Sequence, residues 1–195
     1  MTTVKKVLAT ALFIALAHTG IAAAAGTAKP GSYALDPVHS FALFKIQHFG
    51  AGYVWGQFKD IDGKLKIDAD PTKSTLEVTI KTGSVDTKNA KRDAHIQSPD
   101  FFNAAQFPTL TFKSTKVVKS GDGFDVTGDL TIKGKTKSVT AKVVATGTAE
   151  DPQKKTRTGF EGHVTVNRAD FDLNFMPGAL GDTVEIIMAL EAILQ

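Results

Sequence analysis

Phe124-Asp125-Val126-Thr127-Gly128-Asp129-Leu130-Thr131-Ile132, followed by the loop Lys133-Gly134-Lys135 and residues 138–147, is the stretch that decides the fold. Apolar or small residues alternate with polar ones, the period of a strand with one face toward a core and one toward water. A short loop holding Gly134 between two such runs reads as a hairpin. The same period recurs on either side. Residues 40–48 open the first long strand, and 54–68 follow with a bend expected at Asp62-Gly63. In 75–85, Leu76, Val78 and Ile80 share a face; 110–118 precede a Gly121-Asp122-Gly123 turn, and 158–167 and 184–194 complete the series. About eight strands joined mostly by short antiparallel connections suit an all-β, eight-stranded up-and-down barrel or a sandwich. A barrel removes exposed edges, and at this size it has room for one small ligand.

Expected inward faces mix bulky Phe44, Phe58 and Phe112 with small Ala42, Gly56, Gly128, Ala141 and Gly162. Glycine inside a strand marks a bend or a close approach by a ligand, and the pattern alone leaves both readings open. One segment breaks the alternation: Arg92-Asp93-Ala94-His95-Ile96-Gln97-Ser98-Pro99-Asp100-Phe101-Phe102, running on to Phe107 and Phe112. Here a short helical insertion is expected around residues 88–103, with one helix over 87–94 capped by Thr87 and a second cap at Ser98-Pro99-Asp100. Placed between strands, it is the natural mouth or lid of a β-container. Adjacent Phe101 and Phe102 cannot both face inward on a strand, so at least one is expected to cover a lid surface.

Residues 1–25 read as a secretory signal: Lys5 and Lys6, an apolar run over 7–17, then small residues with cleavage expected after Ala24 or Ala25. An uncleaved anchor is the alternative, disfavoured because the run is short for a bilayer span. Residues 26–195 then form a single domain. The signal holds two of the 23 basic residues and none of the 20 acidic ones, which lowers the formal charge from +3 to +1. Such balance gives no footprint for nucleic acid. The chain has no cysteine, which excludes thiol chemistry and thiolate metal sites. A periplasmic location is expected.

Candidate chemistry is sparse. His39, His48, His95 and His163 are scattered and form no zinc-binding spacing, so neither a metal nor a cofactor is expected. No serine sits in a nucleophile elbow, and no catalytic residue is assigned. His48 is in phase with Phe44 and Ile46, so it faces a barrel opening or serves as a hydrogen-bonded structural histidine. A local turn bond explains Asp36 and His39, and His163 is expected to point outward. Arg92 and Asp93 read either as an ion pair or, with His95, as part of a donor set for an anionic or carbonyl head group.

These residues lie in a pattern that resembles the YceI-like periplasmic proteins, described as polyisoprenoid-binding and lipocalin-like. The match runs from Tyr33, Asp36 and His39-Ser40 through Phe44, Ile46, His48, Gly56, Phe58, Gly63 and Leu65. Its strongest block holds Ser84, Thr87, Arg92-Asp93, His95, Ser98, Asp100-Phe101-Phe102, Phe107-Pro108, Phe112 and Ser114. Gly128, Leu130-Thr131, Gly134, Arg168, Phe171, Asp182 and Val184 complete it. Asp172 departs from it, since the family commonly has Gly after the Phe of Arg-x-x-Phe; a differently closed rim loop is expected. The resemblance implies a lipocalin-like barrel enclosing an isoprenoid, either a polyprenyl phosphate or a ubiquinone-type lipid, for transport, storage or sequestration. Phe44, Phe58, Phe101, Phe102 and Phe112 would lie on the tail, with Arg92, His95 and His48 near the head. Partners would be that lipid or quinone and, transiently, a membrane; oligomeric state is left open. The competing readings are an enzyme acting on such a lipid through His95 and Asp93, and a solid-core structural module.

Overall fold

In the computed structural model, which describes residues 28–195, the alternating runs form a closed sheet. The expected signal segment and its cleavage point lie outside the described residues. In chain order the elements are β1 (Gly31–Leu35), β2 (Phe41–His48), β3 (Gly52–Phe58), β4 (Ile61–Ile67), β5 (Thr75–Lys81), β6 (Val85–Asp86), α1 (Ala90–Gln97), β7 (Thr109–Ser120), β8 (Gly123–Ile132), β9 (Lys135–Glu150), β10 (Thr156–Asn167) and β11 (Leu180–Leu194). All strand pairs are antiparallel. One edge of β11 carries β10. Its other edge is shared end to end by β2, against Leu180 to Ala189, and β1, against Ala192 to Leu194. In the same way β3 and β4 together pair with β2 and β1, and β5 and β6 with β4 and β3. Counted as staves, the barrel is therefore eight-stranded: three broken staves followed by β7, β8, β9, β10 and β11.

Each break has a local cause. Between β1 and β2, Pro37 has no N–H to give, and the Asp36 side chain accepts from Val38 N at 2.9 Å instead. Asp36 N still donates to Glu191 O at 2.8 Å, and Glu191 N donates to Ser40 Oγ at 3.1 Å, so a hydroxyl carries the ladder across the gap. Between β3 and β4 the chain breaks at Lys59-Asp60 rather than at the expected Asp62-Gly63. Gly63 serves another purpose: a Cβ there would lie 2.4 Å from Glu77 O and 2.7 Å from Leu35 Cδ1. β1 is not among the expected strands, the first of which begins at Ser40. Its five residues bury Tyr33 and Leu35, too short a run for alternation to declare.

Arg157 closes the first break. Its Nη1 lies 2.6 Å from both Asp36 Oδ2 and Glu191 Oε1, and its Nε lies 2.9 Å from Asp151 Oδ2. His39 Nδ1 sits 2.9 Å from the same Asp36 oxygen, the local turn bond expected from their spacing. Bonding to His39 and then to Arg157 holds the Asp36 carboxyl well below the usual carboxylate range. Asp36, His39 and Glu191 also form a cluster whose ligand atoms could hold a metal ion, but the guanidinium already occupies the space between the two carboxylates.

The insertion between β6 and β7 differs from its expected form. α1 starts three residues later than expected and is capped by Asn89, whose side chain accepts from Arg92 N at 3.0 Å. Ser98-Pro99-Asp100 begins a run of turns, not a second helix. Ser98 ends α1 instead, its N–H bonding His95 O. Buried Thr82 ties the insertion down, donating through N and Oγ1 to the carbonyls of Pro108 and Phe107.

Two interior glycines are explained by aromatic rings. A Cβ on Gly56 would lie 2.3 Å from Phe44 Cζ, and one on Gly128 would lie 2.4 Å from Phe112 Cζ. Each ring fills the place of the missing side chain and leaves the lumen beside it free. Gly162 has only ordinary contact, 3.4 Å to Val143 Cγ2. Gly56→Ala and Gly128→Ala should each destabilise the fold by about 1–3 kcal/mol through overpacking, while Gly162→Ala stays near wild type; urea denaturation reads this. Because the Asp36 pKa is depressed in the fold, its stabilisation is present above the unfolded-state pKa of about 3.9 and lost as pH falls below it. Asp36→Asn should lower the melting temperature at pH 7, and the gap to wild type should shrink steadily as pH falls below about 4.

Candidate functional site

The barrel is hollow. A cavity of about 590 Å³ runs along its axis, within the ~300–1,000 Å³ typical of small-molecule sites, and its surface is almost wholly apolar. This rules out the solid-core module. No residue of β1 or β4 lines it, because Tyr33 and Leu35 pack with Ile61 and Ala192 into a floor at the end where Gln195 N bonds Ser32 O. Tyr33 completes the floor by donating its hydroxyl to Lys29 O at 2.7 Å. At the other end sit the β2–β3 turn, α1 and the 172–180 loop, and here the exposed polar lining groups collect: His48, Asn89, Lys91, Arg92 and His95. The container has one polar mouth and a closed apolar floor.

All eight residues singled out from the sequence line this cavity: Phe44, His48, Phe58, Arg92, His95, Phe101, Phe102 and Phe112. They fall into two aromatic groups. Phe44, Phe58 and Phe102 form a column along one wall, with successive ring centroids 5.7 Å apart. Phe101 belongs to the rim, where it meets His95 and Phe175 edge-on at 5.2 Å each, and His95 lies 5.0 Å from Phe175. Phe101 and Phe102 both reach the lumen because they sit on a turn, not on a strand.

Arg92 and Asp93 form no ion pair. They meet through Thr87: Arg92 Nε and Nη2 donate to Thr87 Oγ1 and O at 2.7 and 2.6 Å, while Thr87 N and Oγ1 donate to Asp93 Oδ1 at 2.9 and 2.5 Å. One edge of the guanidinium, Nε and Nη2, is thus spent on orientation. Among the described residues Nη1 has no partner, which leaves donors for a guest at the mouth. His95 Nε2 lies 2.8 Å from Asp100 Oδ2, so the acid–base pair expected with Asp93 is absent: each residue faces a different partner. His48 stacks edge-on against Phe49 at 4.4 Å, and exposed His163 pairs with Glu161, as its phase implied.

Two functional residues escaped the sequence reading. Arg168 is buried and lines the cavity, yet among the described residues it meets no carboxylate. Its donors go to carbonyls, Nε to Gly181 at 2.9 Å and Nη1 to Leu173 and Phe175, so it pins the rim loop from inside. Phe175 rides on that loop and bolts it to His95 and Phe101. The Arg168-x-x-Phe171 spacing was the available signal. Asp172 holds, with its φ of 55°, the left-handed conformation that glycine would supply. Its carboxylate meets Lys135 at 3.1 Å and its carbonyl accepts from Lys133 Nζ at 3.2 Å, which ties the loop to the β8–β9 turn.

The model of the YceI-like domain matches residues 33–192. A UPF0312 protein of Ectopseudomonas mendocina is 44% identical over 180 residues, covering 90% of this chain and 94% of its own length. Protein YceI of Escherichia coli O157:H7 is 39% identical over 185 residues, covering 93% and 97%. Among solved structures, BcnA of Burkholderia cenocepacia superposes with a TM-score of 0.72 at 25% identity, covering 80% of this chain and 98% of its own. A polyisoprenoid binding domain from Saccharophagus degradans superposes at 0.66 with 15% identity, covering 86% and 100%, a likeness of fold. With the family's motif residues found on the rim and walls of the same barrel, this chain belongs to the YceI-like family.

Proposed function

We propose that this protein binds a long-chain isoprenoid lipid, a polyprenyl phosphate or a ubiquinone-type molecule, for transport, storage or sequestration in the periplasm. It acts as a carrier rather than as an enzyme. The supporting observation is the cavity surface: almost wholly apolar, with the exposed donors His48, Asn89, Lys91, Arg92 and His95 collected at the mouth. Each methylene moved from water into such a lumen contributes about 0.8 kcal/mol, enough over a few isoprene units to offset the ordering of the tail. Phe44, Phe58, Phe102 and Phe112 line its path, and Phe101 covers it at the rim. Arg92, with His95 and His48 beside it, takes the head group. The name of the Saccharophagus degradans domain supports the same class of ligand.

Dimensions constrain the complex. Strands of about ten residues tilted in a barrel give a depth of roughly 25 Å. A tail of eight isoprene units, about 40 Å extended at some 5 Å per unit, exceeds that depth and must fold back or leave through the mouth, since the floor is packed. The enzymatic reading through His95 and Asp93 finds no support in their geometry, because the two are turned to different partners.

Organic extraction and mass spectrometry of the protein, produced with its export signal in a Gram-negative periplasm, should release an isoprenoid at close to one per chain. Recovery of fatty acids alone at low occupancy would overturn the reading. Arg92→Ala should weaken binding of a polyprenyl phosphate about tenfold or more and leave a neutral polyprenol almost unaffected, as measured by competition with a fluorescent probe. Ile186→Trp, which fills the lumen, should abolish binding of both.

A further inference from the structure

The outer wall beside the mouth carries an aromatic patch that neither the barrel nor its cavity uses. Phe49 at the tip of the β2–β3 hairpin, Tyr53 and Trp55 are 63%, 60% and 52% exposed, and none of them lines the cavity. Tyr53 and Trp55 stand on the same outward face of β3, two residues apart. Across from them Lys45 on β2 places its Nζ 5.4 Å from both rings.

Phe49 is held there against its backbone preference. The turn has φ of 49° at Phe49 and 65° at Gly50, and Ala51 N bonds His48 O at 3.0 Å. Two consecutive positive φ angles mark the hairpin turn for which Asn-Gly is favoured. A bulky aromatic at the first of those positions is uncommon and strained. Among aromatic neighbours its ring meets only the exposed His48 ring. The strain holds an apolar side chain in water at the edge of a lipid-shaped opening.

Next to β3, whose Gln57 pairs with Asp86, α1 and the residue before its cap supply positive charge. Lys88, Lys91 and Arg92 are exposed, and among the described residues none forms a salt bridge. The carboxylates around them are already engaged: Asp86 with Lys59 at 3.7 Å, Asp93 with Thr87, and Asp100 with His95. Glu185 is likewise taken by Lys45 at 2.7 Å. Asn89, Lys91, Arg92 and His95 line the same cavity as His48 and Val54, so aromatic wall and basic rim border one mouth.

We propose that this face docks the barrel, mouth first, on a lipid bilayer bearing anionic headgroups, with Phe49, Tyr53 and Trp55 entering the interface and Lys88 and Lys91 resting among the phosphates. Tyr and Trp suit this boundary because one end of each ring is apolar and the other polar, and lysines near an anionic leaflet are attracted to it. The inference rests on the isoprenoid reading, since a carrier for a water-insoluble lipid must meet the bilayer that holds its cargo. Docked this way, the tail passes from bilayer to lumen without crossing water.

Trp55 is the sole tryptophan, so its fluorescence reports the contact directly. Vesicles of phosphatidylethanolamine with about a quarter phosphatidylglycerol should bind the protein, shift Trp55 emission to the blue and let brominated acyl chains quench it. Phosphatidylcholine vesicles should bind it at least fivefold more weakly, and Lys88→Glu should narrow that difference. Phe49→Asn is the decisive variant: it should raise the melting temperature by relieving the turn and lower vesicle partition about tenfold, with isoprenoid content unchanged. An unmoved Trp55 spectrum, partition indifferent to lipid charge, or a Phe49→Asn protein that binds vesicles like wild type would overturn the docking surface; the first of these would point to a protein partner for the patch. Normal docking by a protein that carries no isoprenoid would overturn the cargo reading instead, so the two failures are distinct.

Discussion

One guanidinium stands where the barrel is weakest. The wall closes only because β11 accepts two short strands end to end, and the chain between them, Asp36 to Ser40, makes no regular ladder. Arg157 reaches the Asp36 and Glu191 carboxylates at that gap and a third, Asp151, on the β9–β10 connection. A half-buried cation with three carboxylates is an arrangement that survives only while its charges stay together, because a lone buried charge is far costlier than a buried pair. The junction therefore holds the first stave against the last while contributing nothing to the lumen. Loss of it would open the container at the floor, the end that must stay dry.

Keeping a barrel of eight staves empty is a second constraint, since side chains of ordinary size can fill one of this width. Here the large residues are placed beside small ones on the neighbouring strand. Phe44 occupies the absent side chain of Gly56, and Phe112 that of Gly128. Glycine in a strand loses entropy and packing, but those losses are offset by burying an aromatic ring against the wall. The rings thus coat the lumen instead of plugging it. The same pairing accounts for stability and for hollowness, which is why a single added methyl group acts on both.

Much of this was legible in the alternation. Period two placed eight runs in the right order, and the phase of Phe44, His48 and Phe58 along their strands put them on the inner face where they stand. What escaped was controlled by contacts distant in sequence. Tyr33 and Leu35 lie in a strand of five residues whose partners, β4 and β11, follow by tens of residues and by the whole length of the chain. Thr87 looked like a helix cap because its type suits one, but its hydroxyl is claimed by Asp93 and Arg92, and Asn89 caps in its place. Neighbouring opposite charges suggested an ion pair at Arg92-Asp93, whereas a helix sends consecutive side chains in different directions and the two converge only through a third residue. Asp172 was read as a departure from the family's glycine. Its backbone is left-handed, a conformation that aspartate tolerates as glycine does.

The two arginines at the mouth show how one side chain type is put to opposite uses. Arg168 is buried, and its donors are consumed by the carbonyls of Leu173, Phe175 and Gly181, so it is a structural pin for the rim and offers a guest nothing but its charge. Arg92 is exposed, and Thr87 takes only one edge of its guanidinium, so the group is oriented and still has donors to spare. A freely rotating arginine would lose much of its rotamer freedom on meeting a ligand; one already held at Nε and Nη2 has lost it during folding. Asp93 reinforces the arrangement by fixing Thr87 from the other side. The rim thus separates the task of holding the loop shut from the task of meeting a head group, and each can change without undoing the other.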